Sequence, residues 1–214
     1  MDDNYQAWLW QKQGETCVKA LKKHGFDAHI VSNIEEARKL ILDMASGYET
    51  FGFGGSDTTR SIGILKELIS MGKTVYDHWQ KGLSKEDDLN IRLQQGRCDC
   101  FLCSANAISA TGEVINVDGV GNRVNATTFG PKRVVIVAGM NKVRPDLESA
   151  LARVKEVAAP MRAKSLNMET PCAETGVCND CNVPQRICRV TTILHRKPML
   201  TDVSVILIGQ SLGF

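Results

Sequence analysis

Short apolar runs alternate with amphipathic segments along most of the chain. The run Val134–Ala138 has no polar alternation, which is typical of a strand buried on both faces of a parallel sheet. Between such runs, apolar residues recur at the spacing of a helix face. Strands are predicted over residues 26–31, 50–53, 74–76, 100–104, 114–117, 134–138 and 203–208. Helices are predicted over residues 5–24, 34–44, 58–71 and 84–94, and from Pro145 to Pro160.

This order of elements favours right-handed βαβ units and an open, mostly parallel α/β sheet with helices on both faces. The length of 214 residues is that of a single domain, and we predict one domain over residues 1–214. Residues 165–200 interrupt the pattern, because they are polar, irregular and rich in cysteine. We therefore predict a cysteine-rich insert before the last strand, and a loop of this length is usually functional or disordered.

Local signals indicate where several of these helices begin and end. Ser32 and Glu35 fit a capping box, in which the two side chains bond to free backbone amides at the helix start. Pro145 suits the first helical position after Arg144. Pro160 is expected to end the helix that begins there, since proline lacks the amide hydrogen.

Composition argues against several classes of function. The chain has 26 basic and 24 acidic residues, a net charge of +2, and no basic run, so nucleic-acid binding has no support. The longest apolar runs are too short for a membrane span. The first residues, Met1-Asp2-Asp3-Asn4, lack the basic and then apolar pattern of a signal peptide, so a cytoplasmic location is expected.

The segment after the strand at 50–53 is rich in glycine and hydroxyl side chains. Glycine lets a backbone turn tightly and approach a ligand, and free amides at a helix start favour an anion. The spacing matches neither G-x-G-x-x-G nor the P-loop, so neither kind of nucleotide site is supported. The alternative is a turn in which Asp57 caps the helix and nothing binds. The candidate anion-binding residues are Gly54, Gly55, Ser56, Thr58 and Thr59.

A second polar segment lies near the middle of the chain. Arg123 offers a planar fork of donors that suits a carboxylate or phosphate, and strand ends are where open α/β sheets place their ligands. Asn106 and Asn122 are further candidate binding residues. Asp118 or Asp57 is the candidate catalytic base. A β-turn with a solvated arginine is the alternative interpretation.

Eight cysteines are the compositional anomaly. In an extended strand, Cys98 and Cys100 point to one face and Cys103 to the other, so these three do not converge on one metal. We interpret Cys98 and Cys100 as core residues, since a free cysteine behaves as a small apolar residue. Cys103 lies near the end of its strand, where a catalytic thiol is one interpretation and packing is the other.

A later group of cysteines has the pattern C-x5-C-x2-C-x6-C. Four thiolates from one loop can surround a metal centre, and a segment with so few apolar residues needs something other than a core to order it. We favour a [4Fe–4S] iron–sulfur cluster over Zn²⁺, because only one C-x2-C knuckle is present. Free thiols or disulfides in a mobile loop are the third interpretation. The candidate metal ligands are Cys172, Cys178, Cys181 and Cys188.

Together these motifs resemble the LUD-domain family, whose best-known members are the LutC-like lactate-utilisation proteins. The cysteine segment from Pro171 resembles a subgroup that carries such a tail. Two positions depart from the family pattern: Cys103 stands where a small residue is expected, and Gln210 where glutamate is expected. The matching segments are Gly54-Gly55-Ser56 with Thr58-Thr59, Asn106-Ala107-Ile108, Gly112, Asp118–Val124, Phe129–Lys132, 134–138, Asn141-Lys142 and Leu207–Phe214.

The resemblance implies a fold like the NagB/RpiA/CoA-transferase group, with its site at strand ends. In that group, glycine–serine–threonine loops hold anions, and a segment containing Asp-Gly contributes to the site. The resemblance also implies a link to lactate oxidation with iron–sulfur partner proteins. Family membership does not settle the activity of the domain itself.

Three functions are therefore consistent with the sequence. The first is a redox component that holds an iron–sulfur cluster, binds a small anionic ligand and is linked to small hydroxy acids. The second is an isomerase- or transferase-like enzyme acting on a small phosphorylated or CoA-linked substrate. The third is a non-catalytic binding module with structural zinc. The sequence leaves open whether the chain is an enzyme and whether it forms a homo-oligomer.

Overall fold

The computed structural model describes residues 3–214. Residues 1 and 2, part of the segment from which a cytoplasmic location is predicted, lie outside the described residues. None of the helices within residues 3–214 has the length and apolar character needed to cross a membrane.

The strands are β1 (Asp27–Val31), β2 (Thr50–Phe53), β3 (Thr74–Asp77), β4 (Cys100–Cys103), β5 (Ala107–Ser109), β6 (Val114–Asp118), β7 (Arg133–Gly139), β8 (Val143–Arg144), β9 (Val190–Leu194) and β10 (Asp202–Ile208). The α-helices are α1 (Asp3–Lys23), α2 (Ile34–Ala45), α3 (Asp57–Ser61), α4 (Ile64–Ser70), α5 (Lys85–Gln95), α6 (Asn122–Thr128), α7 (Leu147–Arg153), α8 (Ala159–Ser165) and α9 (Pro171–Thr175).

Six parallel strands form the main sheet, in the order β1-β10-β7-β4-β2-β3. β7 lies between β4 and β10, with Val135 opposite Leu102 on one side and Ser204 on the other. Every residue of β7 after Arg133 is buried, because helices cover both faces of a parallel sheet of this kind. The predicted open, mostly parallel α/β sheet is confirmed.

Two apolar cores lie on opposite faces of this sheet. Val134 and Ile136 belong to the core that includes residues of α1, whereas Val135 and Val137 belong to the core that includes residues of α2 and α4. This division follows from the alternation of side chains along a strand. Burial of one such side chain is worth about 1.5–3 kcal/mol, so β7 stabilises both cores at once.

A smaller sheet has the order β8-β5-β6-β9, and the sequence did not predict it. β5 has only three residues, and most of β9 is exposed or half-buried, so neither carries the apolar run that marks a core strand. β9 pairs antiparallel with β6. The prediction that residues 165–200 are wholly irregular is therefore wrong, since they contain both α9 and β9.

The predicted helix from Pro145 to Pro160 is wrong at both ends. The N-cap of α7 is Asp146, whose carboxylate accepts the Ser149 amide at 2.7 Å. The helix then continues through a π-helical segment, Val154–Ala158, into α8, where Pro160 occupies the first turn. The chain is already helical before Pro160, and the π-helical turn directly before it interrupts the regular i→i−4 bonding at the point where proline lacks an amide hydrogen.

The start of α2 and the helix predicted over residues 58–71 also differ between the prediction and the structure. Asn33 rather than Ser32 is the N-cap of α2, and its side chain accepts the Glu36 amide at 2.9 Å. The Glu36 carboxylate accepts the Ser32 amide at 2.9 Å, so the cap lies one residue later than predicted. The predicted helix over 58–71 is divided into α3 and α4 at Gly63, whose φ of +79° glycine adopts readily.

Gly139, the last residue of β7, lies against the C-terminal segment of the chain. A Cβ added there would be 2.5 Å from the Gln210 carbonyl oxygen and 2.6 Å from the Leu212 amide nitrogen. The Met140 amide donates to the same Gln210 carbonyl at 3.0 Å. The close approach of these two backbone segments fixes the path of the chain as it leaves β7.

We expect Gly139→Ala to lower the free energy of unfolding by about 1–3 kcal/mol, because one of the two backbone segments must move. Gly47→Ala is the matched control, since nothing lies within 4 Å of a Cβ added at Gly47. Urea unfolding of both variants measures the difference. Equal destabilisation by the two substitutions would contradict the steric explanation.

Candidate functional site

A cavity of about 370 Å³ opens at the carboxyl edge of the main sheet. The loops that follow β2, β3, β4 and β7 line it, together with the end of β6 and residues of α8. Open α/β sheets bind their ligands at this edge, where loops from several strands meet. The glycine loop after β2 and Arg123 both line this cavity, as a common anion site requires.

Most residues predicted for the site line the cavity, and three do not. The Gly54 amide donates to the Leu102 carbonyl at 2.9 Å and so continues the main sheet. Thr59 is buried, and its amide donates to Ser56 Oγ at 3.2 Å. Cys103 lies against Gly54, where an added Cβ would be 3.0 Å from the Cys103 Cβ. The predicted residues that do line the cavity are Gly55, Ser56, Asp57, Thr58, Asn106, Asp118, Asn122 and Arg123.

The glycine loop leads into α3, which has Ser56 as its N-cap and only five residues. So short a helix has a small dipole, and side chains therefore supply most of the positive charge at the cavity. Gly55 has a steric role in this loop, since an added Cβ would lie 2.8 Å from Trp79 Nε1.

Arg123 is held by three acceptors at the end of β6. Its Nη2 donates to Asn106 Oδ1 at 3.0 Å and to the Val117 carbonyl at 2.7 Å, and it lies 3.2 Å from Asp118 Oδ1. The other Asp118 oxygen accepts the amides of Arg123 and Val124, at 3.1 and 3.2 Å. Asp118 therefore orients Arg123 and uses both oxygens to do so. Its role as a general base stays a prediction.

Asp57, the other candidate base, pairs with Arg162. Arg162 Nη1 lies 3.1 Å from Asp57 Oδ2, and the Arg162 guanidinium carbon lies 4.7 Å from the centroid of the Trp79 ring. The Arg60 guanidinium also lies over this ring, at 4.3 Å. A cation over an aromatic face is stabilised by about 0.5–1 kcal/mol at exposed sites. Trp79 thus helps to position the cationic side of the cavity.

Lys142 is one of the site residues that the sequence did not predict, together with His78, Trp79, Arg92 and Arg162. It follows β7 in a single 3-10 turn and is only 4% exposed. Its Nζ donates to Thr58 Oγ1 at 3.0 Å and to Ser104 Oγ at 2.9 Å. Burial, and then the charges of Arg153 and Arg123, lower the pKa of Lys142 to about 7. Its position just after the most apolar strand, at the ligand-binding edge, is the feature that could have identified it.

The charged side chains that line the cavity are predominantly basic. Arg92, Arg123 and Arg162 are cations, and the carboxylates are Asp57 and Asp118. Lys142 is protonated only in part near its pKa of about 7, and Arg92 pairs with Asp88 at 2.7 Å. His78 also lines the cavity, and its pKa is lowered by burial and then by the charge of Arg92, so its neutral form is favoured. An excess of cations in a partly enclosed cavity attracts anions. The arrangement can therefore bind a small carboxylate or phosphate.

Cys103 is fully buried, and burial raises the pKa of its thiol to about 12. A thiol with so high a pKa is protonated near neutral pH and is a poor nucleophile. Cys98 and Cys100 are buried as well, in agreement with their interpretation as core residues. The prediction that these two share one face is wrong, because Cys98 precedes β4 and lies in the same core as Cys103, whereas Cys100 lies in the opposite core. The geometry at Cys103 favours packing, and its catalytic role stays a prediction.

The four late cysteines, Cys172, Cys178, Cys181 and Cys188, line one small cavity of about 20 Å³. All four are free thiols. Burial raises the pKa of the Cys188 thiol, and the Cys178 and Cys172 sulfurs raise it further. Within residues 3–214, no three His, Cys, Asp or Glu side chains are arranged so that they could hold a metal ion as they stand.

Arg186 holds the cysteine loop together. Its Nη1 donates to the Cys181 carbonyl at 2.5 Å and its Nε to the Cys188 carbonyl at 2.7 Å. Its Nη2 pairs with Asp180 Oδ1 at 2.6 Å. One side chain therefore connects the backbone at two of the four cysteines.

The large cavity and the cysteine cavity share a wall. Ala159, Ile187 and Cys188 line both of them. The cysteine loop is fixed to the end of β6 by the Arg189 amide, which donates to the Asp118 carbonyl at 2.9 Å. The predicted metal ligands and the predicted anion-binding residues thus form adjacent parts of one region.

The mostly parallel sheet, with a cavity at its carboxyl edge, defines an open-sheet α/β protein. The family model of the LUD domain matches residues 14–208. The chain therefore belongs to the LUD-domain family, as its motifs predicted. Comparison with the curated proteins finds no match.

A solved structure with the same fold is the crystal structure of a DUF162 (LUD-domain) family protein from Deinococcus radiodurans, at 1.70 Å resolution. The two chains are 15% identical, with a TM-score of 0.56. The match covers 93% of this chain and 98% of the other. At this level of identity the likeness shows the fold alone.

We expect protonation of Lys142 to weaken the fold. Because its folded pKa of about 7 lies below the ordinary value of about 10.4, the unfolded chain binds more protons between these pH values. The contribution of Lys142 to the free energy of unfolding is therefore lowest below about pH 7 and rises with pH toward about 10. Between about pH 6 and 9, the free energy of unfolding of the wild type should rise relative to that of Lys142→Met. Urea unfolding at several pH values measures the difference.

Lys132→Met is the matched control for this pH series. The Asp99 carboxylate accepts a hydrogen bond from exposed Lys132 and raises its pKa, so this lysine stays protonated over the same pH range. The difference in free energy of unfolding between Lys132→Met and the wild type should therefore be the same at every pH. A constant difference for Lys142→Met as well would contradict a depressed pKa at Lys142.

Proposed function

We propose that this LUD-domain protein is a redox component linked to the use of lactate or a related small hydroxy acid. In this proposal the large cavity binds the anion, and the four-cysteine loop holds a [4Fe–4S] cluster. The observation that carries it is the wall of Ala159, Ile187 and Cys188 shared by the two cavities. A redox centre must lie close to the groups with which it exchanges electrons.

The anion-binding part is supported by the guanidinium groups of the cavity. Arg123 and Arg162 offer planar donor pairs that match a carboxylate. Arg123 Nε is buried and has no hydrogen-bond partner among the described residues, and an unsatisfied donor favours an acceptor from a ligand or water. The link to lactate rests on the family resemblance.

The metal-binding part is supported by the donor set. Four cysteine thiolates are the usual ligands of a [4Fe–4S] cluster, and Cys172, Cys178, Cys181 and Cys188 line a single cavity. A bound cluster supplies one-electron transfer, so the proposal includes iron–sulfur partner proteins as donors or acceptors. The small volume of about 20 Å³ means that the loop must widen to admit a cluster.

We expect protein purified without oxygen to contain iron and sulfide and, after reduction with dithionite, to give the EPR signal of a [4Fe–4S] cluster. Cys181→Ser should lower the iron content, because it removes one of the four thiolates. Cys17→Ala is the matched control, since Cys17 is a buried core thiol outside the loop. Elemental analysis and EPR of the three proteins test the metal-binding part.

Other results of this experiment have defined meanings. One zinc per chain without iron would refute the cluster and favour a binding module with structural zinc. That candidate has its own support, since a cavity of about 20 Å³ is the size for one water or ion. Protein that binds neither metal after anaerobic reconstitution would refute both.

Lys142 favours a second candidate function, an isomerase- or transferase-like enzyme acting on a phosphorylated or CoA-linked substrate. A group with a pKa of about 7 is suited to proton transfer near neutral pH. Ser56, Thr58 and Arg123 would then bind the phosphate. Thermal-shift screening with sugar phosphates and acyl-CoAs, beside lactate and pyruvate, separates the two functions by the ligand that stabilises the protein.

The anion-binding part also predicts the effect of a substitution. Lactate or pyruvate should raise the melting temperature, and Arg123→Ala should weaken binding about tenfold or more, since a hydrogen bond to a charged group contributes about 1.5–3 kcal/mol. Arg97→Ala is the matched control, because Arg97 is exposed and does not line the cavity. Thermal-shift titration measures the affinities. Equal affinities for the two variants would be evidence against this site.

A further inference from the structure

We propose that Lys142 is a nucleophile that forms an imine with the carbonyl group of a small anionic aldehyde or ketone bound in the large cavity. The inference rests on the anion-binding part of the proposed function and needs no metal. It assigns a covalent reaction to the keto acids and related carbonyl compounds that this cavity would bind.

The hydrogen bonds at Lys142 fit a neutral amine. Its Nζ lies within hydrogen-bond distance of Thr58 Oγ1 and Ser104 Oγ. Each hydroxyl directs its own proton to a backbone carbonyl, Thr58 to Leu212 and Ser104 to Ala105, both at 3.3 Å. The amine is therefore the donor in both bonds. A neutral amine has two N–H groups and one lone pair, so both N–H groups are satisfied and the lone pair is left without a partner.

No carboxylate neutralises a protonated Lys142. Asp57 pairs with Arg162, and Asp118 pairs with Arg123. Within the described part of the chain, Lys142 itself forms no ion pair. A buried ammonium without a counter-ion is costly, and the group loses its proton instead.

Most of the other charged groups around Lys142 also favour its neutral amine over the ammonium. Arg153 from α7 and Arg123 from α6 disfavour the ammonium, whereas Asp57 and the Cys103 thiolate would favour it. The Cys103 thiol is protonated near neutral pH, since burial raises its pKa to about 12. The neutral amine is therefore well populated near pH 7.

The amine is open to a ligand in the cavity. Lys142 lines the cavity together with Arg123 and Arg162, so a small molecule held by its anionic end remains in the space next to the amine. Gly213 keeps that space open, since a Cβ added there would lie 3.3 Å from Nζ. Val154 and other apolar side chains complete the wall.

The reaction is a condensation without change of oxidation state. The Nζ lone pair attacks the carbonyl carbon, a C–N bond forms, and one N–H proton moves to the carbonyl oxygen. The resulting carbinolamine then breaks its C–O bond. The oxygen leaves as water with the second N–H proton, and a C=N bond remains. No oxidant or reductant takes part in this step.

Trapping with borohydride tests the proposal. The protein is incubated near pH 7 with pyruvate or glyoxylate and reduced, and the modified peptide is identified by mass spectrometry. We expect one reduced adduct at Lys142, formed at least about tenfold faster than at any surface lysine, because a lysine of ordinary pKa is almost wholly protonated there. The rate should rise most steeply near pH 7.

Two variants control this experiment. Lys142→Arg keeps a basic side chain but cannot form the imine, and it should lose the adduct. Lys132→Arg alters an exposed lysine that pairs with Asp99 and should keep it. Circular dichroism shows whether both variants are folded. If one of them is not, the position of the adduct in the wild type still tests the proposal.

The outcomes separate this proposal from the proposed function. Stabilisation by pyruvate with no adduct at Lys142, or labelling spread evenly over surface lysines, would overturn the nucleophile and leave anion binding intact. An adduct at Lys142 in a protein that binds no iron would support the nucleophile and refute the redox role. Absence of both stabilisation and adduct with either probe would overturn the nucleophile and the anion site together.

Discussion

Burial of β7 on both faces is the constraint on which fold and site depend. Its alternating side chains belong to two separate cores, so the strand cannot shift without loss of contacts on either side. The end of the strand is therefore a fixed point, and Gly139 leads the chain directly into the turn that carries Lys142. The amine is positioned by strand pairing, and the two cores offset the cost of its burial.

The charge balance of the cavity connects its proposed anion binding with the neutral form of Lys142. Each carboxylate already has an arginine partner, Asp57 with Arg162 and Asp118 with Arg123. Positive charge is left in excess, and it is relieved either by an anionic ligand or by loss of a proton from the weakest base present. That base is Lys142, because arginine keeps its proton at any ordinary pH. Binding of an anion and loss of that proton are therefore two alternative ways of relieving the same charge.

Short segments of the sequence were enough to predict the central strand and several residues of the cavity. The run 134–138 predicted a buried central strand, and turn residues after strand ends predicted the glycine loop and Arg123. β9 could not be predicted, because it is stabilised by pairing with β6, which is distant in sequence. The depressed pKa of Lys142 depends on Arg153 and Arg123, which reach it from other elements. Properties set by such long-range contacts leave no pattern in the local sequence.

If the cysteine loop holds a metal and the large cavity an anion, as proposed, the contact between the loop and β6 would couple the two sites thermodynamically. The Arg189 amide bonds to the Asp118 carbonyl, and the Asp118 side chain orients Arg123, so order in the loop reaches a guanidinium that lines the large cavity. If metal raises the affinity for the anion by some factor, linkage requires the anion to raise the affinity for metal by the same factor. A cell rich in the ligand would then keep more of this protein in its metal-loaded form.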